Sequence, residues 1–130
     1  KNNLKLHPHY YQDSLKDTTL TGIKLTKKLL NLKNPPTAII CSLDKYFIGC
    51  LQECQERGLY TPKDISIVGY NDHDNYLSSQ NLTFISHPLT EMGKMSVEIL
   101  EKIEKGGQPH KLSKLIEPIL NKGKSDGEIN

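Results

Sequence analysis

Short apolar runs alternating with amphipathic helical stretches predict an α/β chain, a three-layer α-β-α arrangement around a mostly parallel sheet. Two observations carry this reading. The runs TAIICS at 37–42 and ISIVGY at 65–70 are continuous and rich in β-branched residues, as strands covered on both faces are. Each is followed by a polar turn, and helix-period repeats lie between the strands, so right-handed crossovers are expected to join them.

Residues 1–16 are polar with scattered Leu, Tyr and His, and accommodate only a loop or a short edge strand around 4–11. Thr18 or Thr19 then caps a helix whose Leu25, Leu29 and Leu32 share one face, and Pro35 and Pro36 end it. The strand at 37–42 follows. Asp44 is placed to cap the next helix, in which Phe47, Cys50, Leu51 and Cys54 repeat at i, i+3, i+4 and i+7, with Gly58 as its left-handed stop. Pro62 breaks the chain before the strand at 65–70, which runs into Asn71, Asp72, His73 and Asp74.

LTFIS at 82–86 is a third strand. Pro88 suits the first position of a helix, to about 105, that carries Met92, Met95, Ile99 and Ile103 on one face before Gly106 and Gly107. A last strand at 115–120 is restricted to an edge or a chain end by Pro118. Residues 121–130, NKGKSDGEIN, offer nothing to bury and are expected to form a flexible tail after a domain spanning 1–120. In such sheets ligands bind beyond the carboxyl ends of the strands, here 42–44, 71–74 and 86–89.

At 130 residues and 35% hydrophobic content the chain has the length of one domain with a modest core. Seventeen basic residues against 15 acidic ones leave no footprint for neutralising many phosphates, so nucleic acid is not expected as a direct partner. No apolar run has the length of a membrane span or a signal peptide, and a cytoplasmic location is expected. The three cysteines are odd in number, and Cys50 and Cys54 share a helix face, so free core thiols are favoured over a disulfide or a metal site. The chain opens on Lys1 within a polar stretch, which suggests a piece of a longer parent.

Catalytic signatures are absent: no GxSxG elbow, GxxxxGK[ST] loop or GxGxxG fingerprint occurs. His7 and His9 lack partners at zinc-ligand spacing and read as surface residues. Asp72 and Asp74 flank His73 as an acid/base or cation cluster would, but turn chemistry or contact with a ligand hydroxyl is the better reading. Neither catalytic residues, nor a metal, nor a cofactor is expected.

From Pro35 to Lys94 the sequence resembles the LacI/GalR family of transcription regulators. The matching residues are Pro36-Thr37-Ala38, Asp44, Gly49, Gly58-Leu59, Pro62, the run Asp64 to Tyr70 (DISIVGY), Asp72, Leu82-Thr83, Ile85 and Gly93, in the family's order and spacing. The resemblance implies part of a two-lobed fold like the type I periplasmic binding proteins, with ligand held between lobes and a helix-turn-helix head on the parent. This chain would begin well inside the second lobe, and its helix at about 88–105 would pack on the largely missing first lobe. DNA would be met only through the missing head.

By position, the resemblance implies that ligand is contacted by Asn71, Asp72, His87, Leu43, Asp17 and Leu89. Asn71 stands where the family has the first of two Asp residues, and an amide there both donates and accepts. Leu43 replaces the usual Asn before Asp44, and Asp17 falls near a position often held by a stacking aromatic. The expected function is a sugar-responsive repressor acting as a homodimer. The alternatives are a periplasmic sugar-binding protein of a transport system and, resting only on Asp72, His73 and Asp74, an enzyme.

Overall fold

Thr18 starts the first helix as its sequence predicts: its backbone is extended (φ −141°, ψ 153°) and its Oγ1 accepts the Thr21 N–H at 3.1 Å. The computed structural model describes residues 7–70 and 76–128. Helix α1 (Thr19–Leu30) turns Leu29 inward, with Leu25 and Leu32 packed at the margin of the core. Strand β1 (Ala38–Ile40) and helix α2 (Asp44–Glu56) follow, and α2 buries Phe47, Cys50 and Cys54 while Leu51 packs beside them. Full enclosure of a side chain such as Phe47, which has no exposed surface, stabilises by about 3 kcal/mol.

The two helices meet backbone to backbone at a glycine pair. A methyl group on Gly22 would lie 2.7 Å from the Cα and carbonyl oxygen of Tyr46. One on Gly49 would run into the Thr19 carbonyl oxygen and lie 2.6 Å from the Ile23 nitrogen. No side chain fits at either position, which is what allows α1 to lie so close on α2. At the far ends Arg57 donates through Nε to Glu53 Oε1 at 2.6 Å and through Nη2 to Asn31 Oδ1 at 2.9 Å, so the buried Glu53 carboxylate is neutralised and the two helix termini are tied. Gly58, at φ +70°, stops α2 as expected.

The sheet continues through β2 (Ser66–Tyr70), β3 (Phe84–Ser86) and β4 (Ile119–Asn121), in the order β1-β2-β3-β4. β1–β2 and β2–β3 are parallel, and β3–β4 is antiparallel. The mostly parallel α/β class is therefore as predicted, with shorter strands than the apolar runs suggest. A one-turn helix α3 (Tyr76–Ser79), not expected from the sequence, places Leu77 in the core with Ile65, Ile67 and Phe84. Helix α4 (Leu89–Glu104) buries none of its residues, and Met92, Val97 and Leu100 are exposed on it.

Several expectations are corrected. Asp44 is the first residue of α2 rather than its cap. Leu43 holds the cap position without a side-chain bond, and Asp44 Oδ1 accepts the adjacent Lys45 N–H at 2.7 Å. Pro88 likewise precedes α4 instead of opening it. Among the described residues of the N-terminal segment, Pro8–Tyr10 form a 3-10 turn, not an edge strand. The last strand begins after Pro118, whose missing N–H would break the ladder with β3.

The expected tail from 121 is the largest correction. Asn121 ends β4, and the chain through Gly127 is held by hydrogen bonds. Ser125 is fully buried, its carbonyl accepting Ile67 N–H and its hydroxyl donating to Ile67 O, each at 2.7 Å. Gly127 and Ser66 exchange a further pair of bonds at 3.0 and 3.1 Å. Polar bonds to backbone anchor this segment, and an argument from apolar burial does not see them.

Candidate functional site

The parallel register sets the carboxyl ends of the strands side by side: Ile40 stands opposite Val68 and Tyr70 opposite Ile85. The chain leaves β1 through Cys41 to Leu43, and leaves β3 through His87 and Pro88 into α4. Two groups of side chains described at these ends can be built from their contacts.

The first lies at the start of α2. Asp17, half exposed, reaches Lys45 Nζ with Oδ2 at 3.6 Å, so the carboxylate just before α1 faces the first turn of α2. Leu43 packs its side chain against the core margin, while Asp44 is 8% exposed. Tyr46 fixes the approach of the N-terminal segment by donating its hydroxyl toward the carbonyls of Ser14 and Lys16, at 3.1 and 3.0 Å. Behind this group a cavity of about 370 Å³ runs along β1, walled in part by Tyr10, Tyr11, Thr26, Cys41, Ser42 and Tyr46.

The second group lies beyond β2 and β3. Tyr70 Oη and His87 Nε2 are hydrogen-bonded at 2.9 Å, with ring centroids 5.2 Å apart and planes at 89°. His87 is exposed, as is Leu89 in the first turn of α4, and both line an open recess of about 520 Å³ with Pro88, Glu91, Lys94 and Ile119. The imidazole of His87, the hydroxyl of Thr90, the carboxylate of Glu91 and the ammonium of Lys94 around an apolar floor suit a small polar molecule. Asn71 and Asp72, named from the sequence with His73 and Asp74, lie outside the described residues.

Of the six residues proposed from the sequence, the structure thus sets Asp17 and Leu43 at the start of α2, and His87 and Leu89 at the start of α4. Tyr46 and Tyr70 were missed. Tyr70 ends the GY pair of the second apolar run, where periodicity reads it only as a strand residue. Its long reach to His87 follows from pairing of β2 with β3, which no local pattern states.

The three thiols are free and buried. Hydrogen bonding to Cys41 and burial push the Cys50 thiol up to about 12, despite an opposing bond from Cys54. The Cys54 thiol is raised as well, first by its bond to Cys50 and then by burial. Among the described residues no group of three His, Cys, Asp or Glu side chains is placed to hold a metal, and no helix is long and apolar enough to cross a membrane.

A mostly parallel sheet with polar side chains gathered beyond its strand ends is the arrangement in which open α/β folds bind ligands. Residues 1–125 match the periplasmic binding protein-like domain family, and the chain belongs to it, in the form found as the effector-binding domain of LacI/GalR-type regulators. It is 34% identical over 117 residues to the ribose operon repressor of Haemophilus influenzae, covering 88% of this chain and 35% of that protein. It is 36% identical over 85 residues to the repressor PurR of Glaesserella parasuis, covering 64% of this chain and 25% of that one. A LacI-family regulatory protein from Chloroflexus aggregans superposes with a TM-score of 0.83 at 29% identity, over 95% of this chain and 45% of its own. A dimeric Lac repressor superposes at 0.73 and 28% identity, over 87% and 42%. The chain spans about a third or less of the length of these curated relatives.

Proposed function

We propose that this chain is the second-lobe portion of the effector-binding domain of a LacI/GalR-type transcriptional repressor, responsive to a small molecule of the sugar class. The observation that carries the reading is the Tyr70–His87 pair beside Leu89, hydrogen-bond capacity next to an apolar surface at adjoining strand ends in a chain of this family. Asn71, Asp72 and Asp17 complete the ligand contacts in this reading, with Leu43 closing the site. Curated relatives carry the names of repressors, which favours this reading over a transport receptor.

The exposed apolar residues of α4 fit the same reading. Exposed Met92, Val97 and Leu100, with half-buried Met95, Ile99 and Ile103 on a helix that has no fully enclosed residue, form the surface onto which the first lobe of a parent would close. DNA would be held by a head outside this chain, in a cytoplasmic homodimer. Ligand would favour one angle between lobes and so shift the population of operator-binding heads, with no chemical step and no cofactor.

The test is calorimetry on the whole protein with a panel of pentoses and hexoses, D-ribose first in view of its relative's name. One sugar is expected to bind, and Asn71→Ala to weaken it by about tenfold or more, as loss of a polar contact does. Unchanged affinity in that variant would remove Asn71 from the site. Binding of none of the panel would remove the sugar.

A further inference from the structure

We infer that Tyr70 is a positioning residue for ligand recognition, which sets the tautomer of His87 so that its Nδ1 carries the proton and donates to an acceptor oxygen of the ligand. The inference rests on the reading of His87 as a ligand contact given above, and assigns a role to a residue outside that contact set.

The geometry is specific. Tyr70 is the last residue of β2, and Ile85, its partner in register, lies two residues before His87 on β3. The phenol therefore spans from one strand to the exit of the next, meeting Nε2 at 2.9 Å with the rings perpendicular. That bond occupies Nε2, and among the described residues no hydrogen bond engages Nδ1, the imidazole nitrogen left for another partner.

Between a phenol and a neutral imidazole the direction of donation follows from acid and base strength. The phenol O–H is the stronger acid of the two possible donors, and the bare imidazole nitrogen is a stronger base than a phenol oxygen. Tyr70 thus donates to Nε2, and the single ring proton of neutral His87 is placed on Nδ1. An isolated imidazole is free to exchange between tautomers, and would present an acceptor at Nδ1 for part of the time. The tyrosine removes that alternative, so the site selects for a carbonyl or hydroxyl oxygen at this position. A phenylalanine would keep the perpendicular ring packing and lose the selection.

The tautomer is read directly by nitrogen-15 resonance on the histidine-labelled chain near neutral pH, with His87→Gln to assign the signal. Wild type is expected to show His87 protonated at Nδ1 and bare at Nε2, and Tyr70→Phe to lose that preference. His87 protonated at Nε2 in the wild type overturns the inference, and this result does not depend on Tyr70→Phe folding. The same tautomer in Tyr70→Phe, with the core amide spectrum unchanged, also overturns it.

Calorimetry with D-ribose gives the functional arm. Tyr70→Phe is expected to weaken binding about tenfold, as one lost hydrogen bond would, and to add little to His87→Gln in the double variant. Fully additive losses contradict positioning through His87. Absence of ribose binding in the wild type counts against ribose as the ligand, and the resonance result then decides the role of Tyr70.

Discussion

Ser125 is joined to Ile67 twice, once through its carbonyl and once through its hydroxyl, each at 2.7 Å. The parallel ladder explains why the position is open to it. Ser66 N–H bonds Thr37 and Cys41 N–H bonds Val68, so Ser66 and Val68 face β1 while Ile67 and Gly69 face the other way. Gly69 finds Thr83 there, but β3 has not yet come alongside Ile67, and Ser125 takes that slot while its hydroxyl accepts Thr83 N–H at 2.8 Å. Ser125→Ala leaves Thr83 N–H without this partner in a buried place, and is expected to cost about 1–3 kcal/mol. Urea unfolding measures it, and a loss within about 0.5 kcal/mol would show the segment to be loosely held.

Asp126 gives the same segment a dependence on pH. Hydrogen bonds from Lys122 and then from the Thr83 hydroxyl, the latter at 2.5 Å, hold its carboxyl below the ordinary 3.8. A pKa lower in the folded than in the unfolded chain means stabilisation that is complete above about 3.8 and falls away as pH drops through the folded value. Asp126→Asn is therefore expected to flatten the acid limb of the stability curve below pH 4 and to leave its shape above pH 6 unchanged. An acid limb identical to wild type would place the acid sensitivity elsewhere.

The glycine crossing predicts a large effect from the smallest substitution. Gly49→Ala must push the Thr19 carbonyl and the Ile23 nitrogen apart from α2, and both belong to backbone that cannot rotate away. A loss of about 2 kcal/mol or more is expected, against the usual gain in helix propensity from Gly to Ala. Thermal unfolding of Gly49→Ala, with exposed Gly93→Ala in α4 as the control that meets nothing, separates the two effects. A neutral Gly49→Ala would mean that the helices are not in backbone contact.

Cys50 and Cys54 are enclosed, at 0% and 1% exposure, and their raised pKa values keep them as thiols. A thiolate-seeking reagent at pH 8 is expected to label neither in the folded chain and both in denaturant. Rapid labelling of either without denaturant would contradict the packing of α2 on the sheet.

The alternation of strands and helices was legible in the sequence because period and punctuation are local: Thr18 caps, Gly58 stops, and the apolar runs lie where strands form. What was not legible depends on partners remote in the chain. Ser125 looks like part of a polar end until Ile67 and Thr83 are beside it, and Tyr70 looks like one more strand residue until β3 brings His87 within reach. Of the candidate site, His87 and Leu89 share one recess, Asp17 and Leu43 meet the start of α2, and Asn71 and Asp72 lie outside the described residues.

On the reading proposed above, a ligand-sensing lobe governs a DNA-binding head located elsewhere in the parent protein. The most direct measurement is fluorescence anisotropy of labelled promoter DNA from upstream of its own gene, titrated with the whole protein and separately with residues 1–130, with and without the sugars of the panel. Tight, specific binding by the whole protein is expected, with none by residues 1–130 and a shift of about tenfold in operator affinity on adding the recognised sugar. Specific binding by residues 1–130 alone, or an operator affinity that no sugar changes while one of them binds, would contradict that reading.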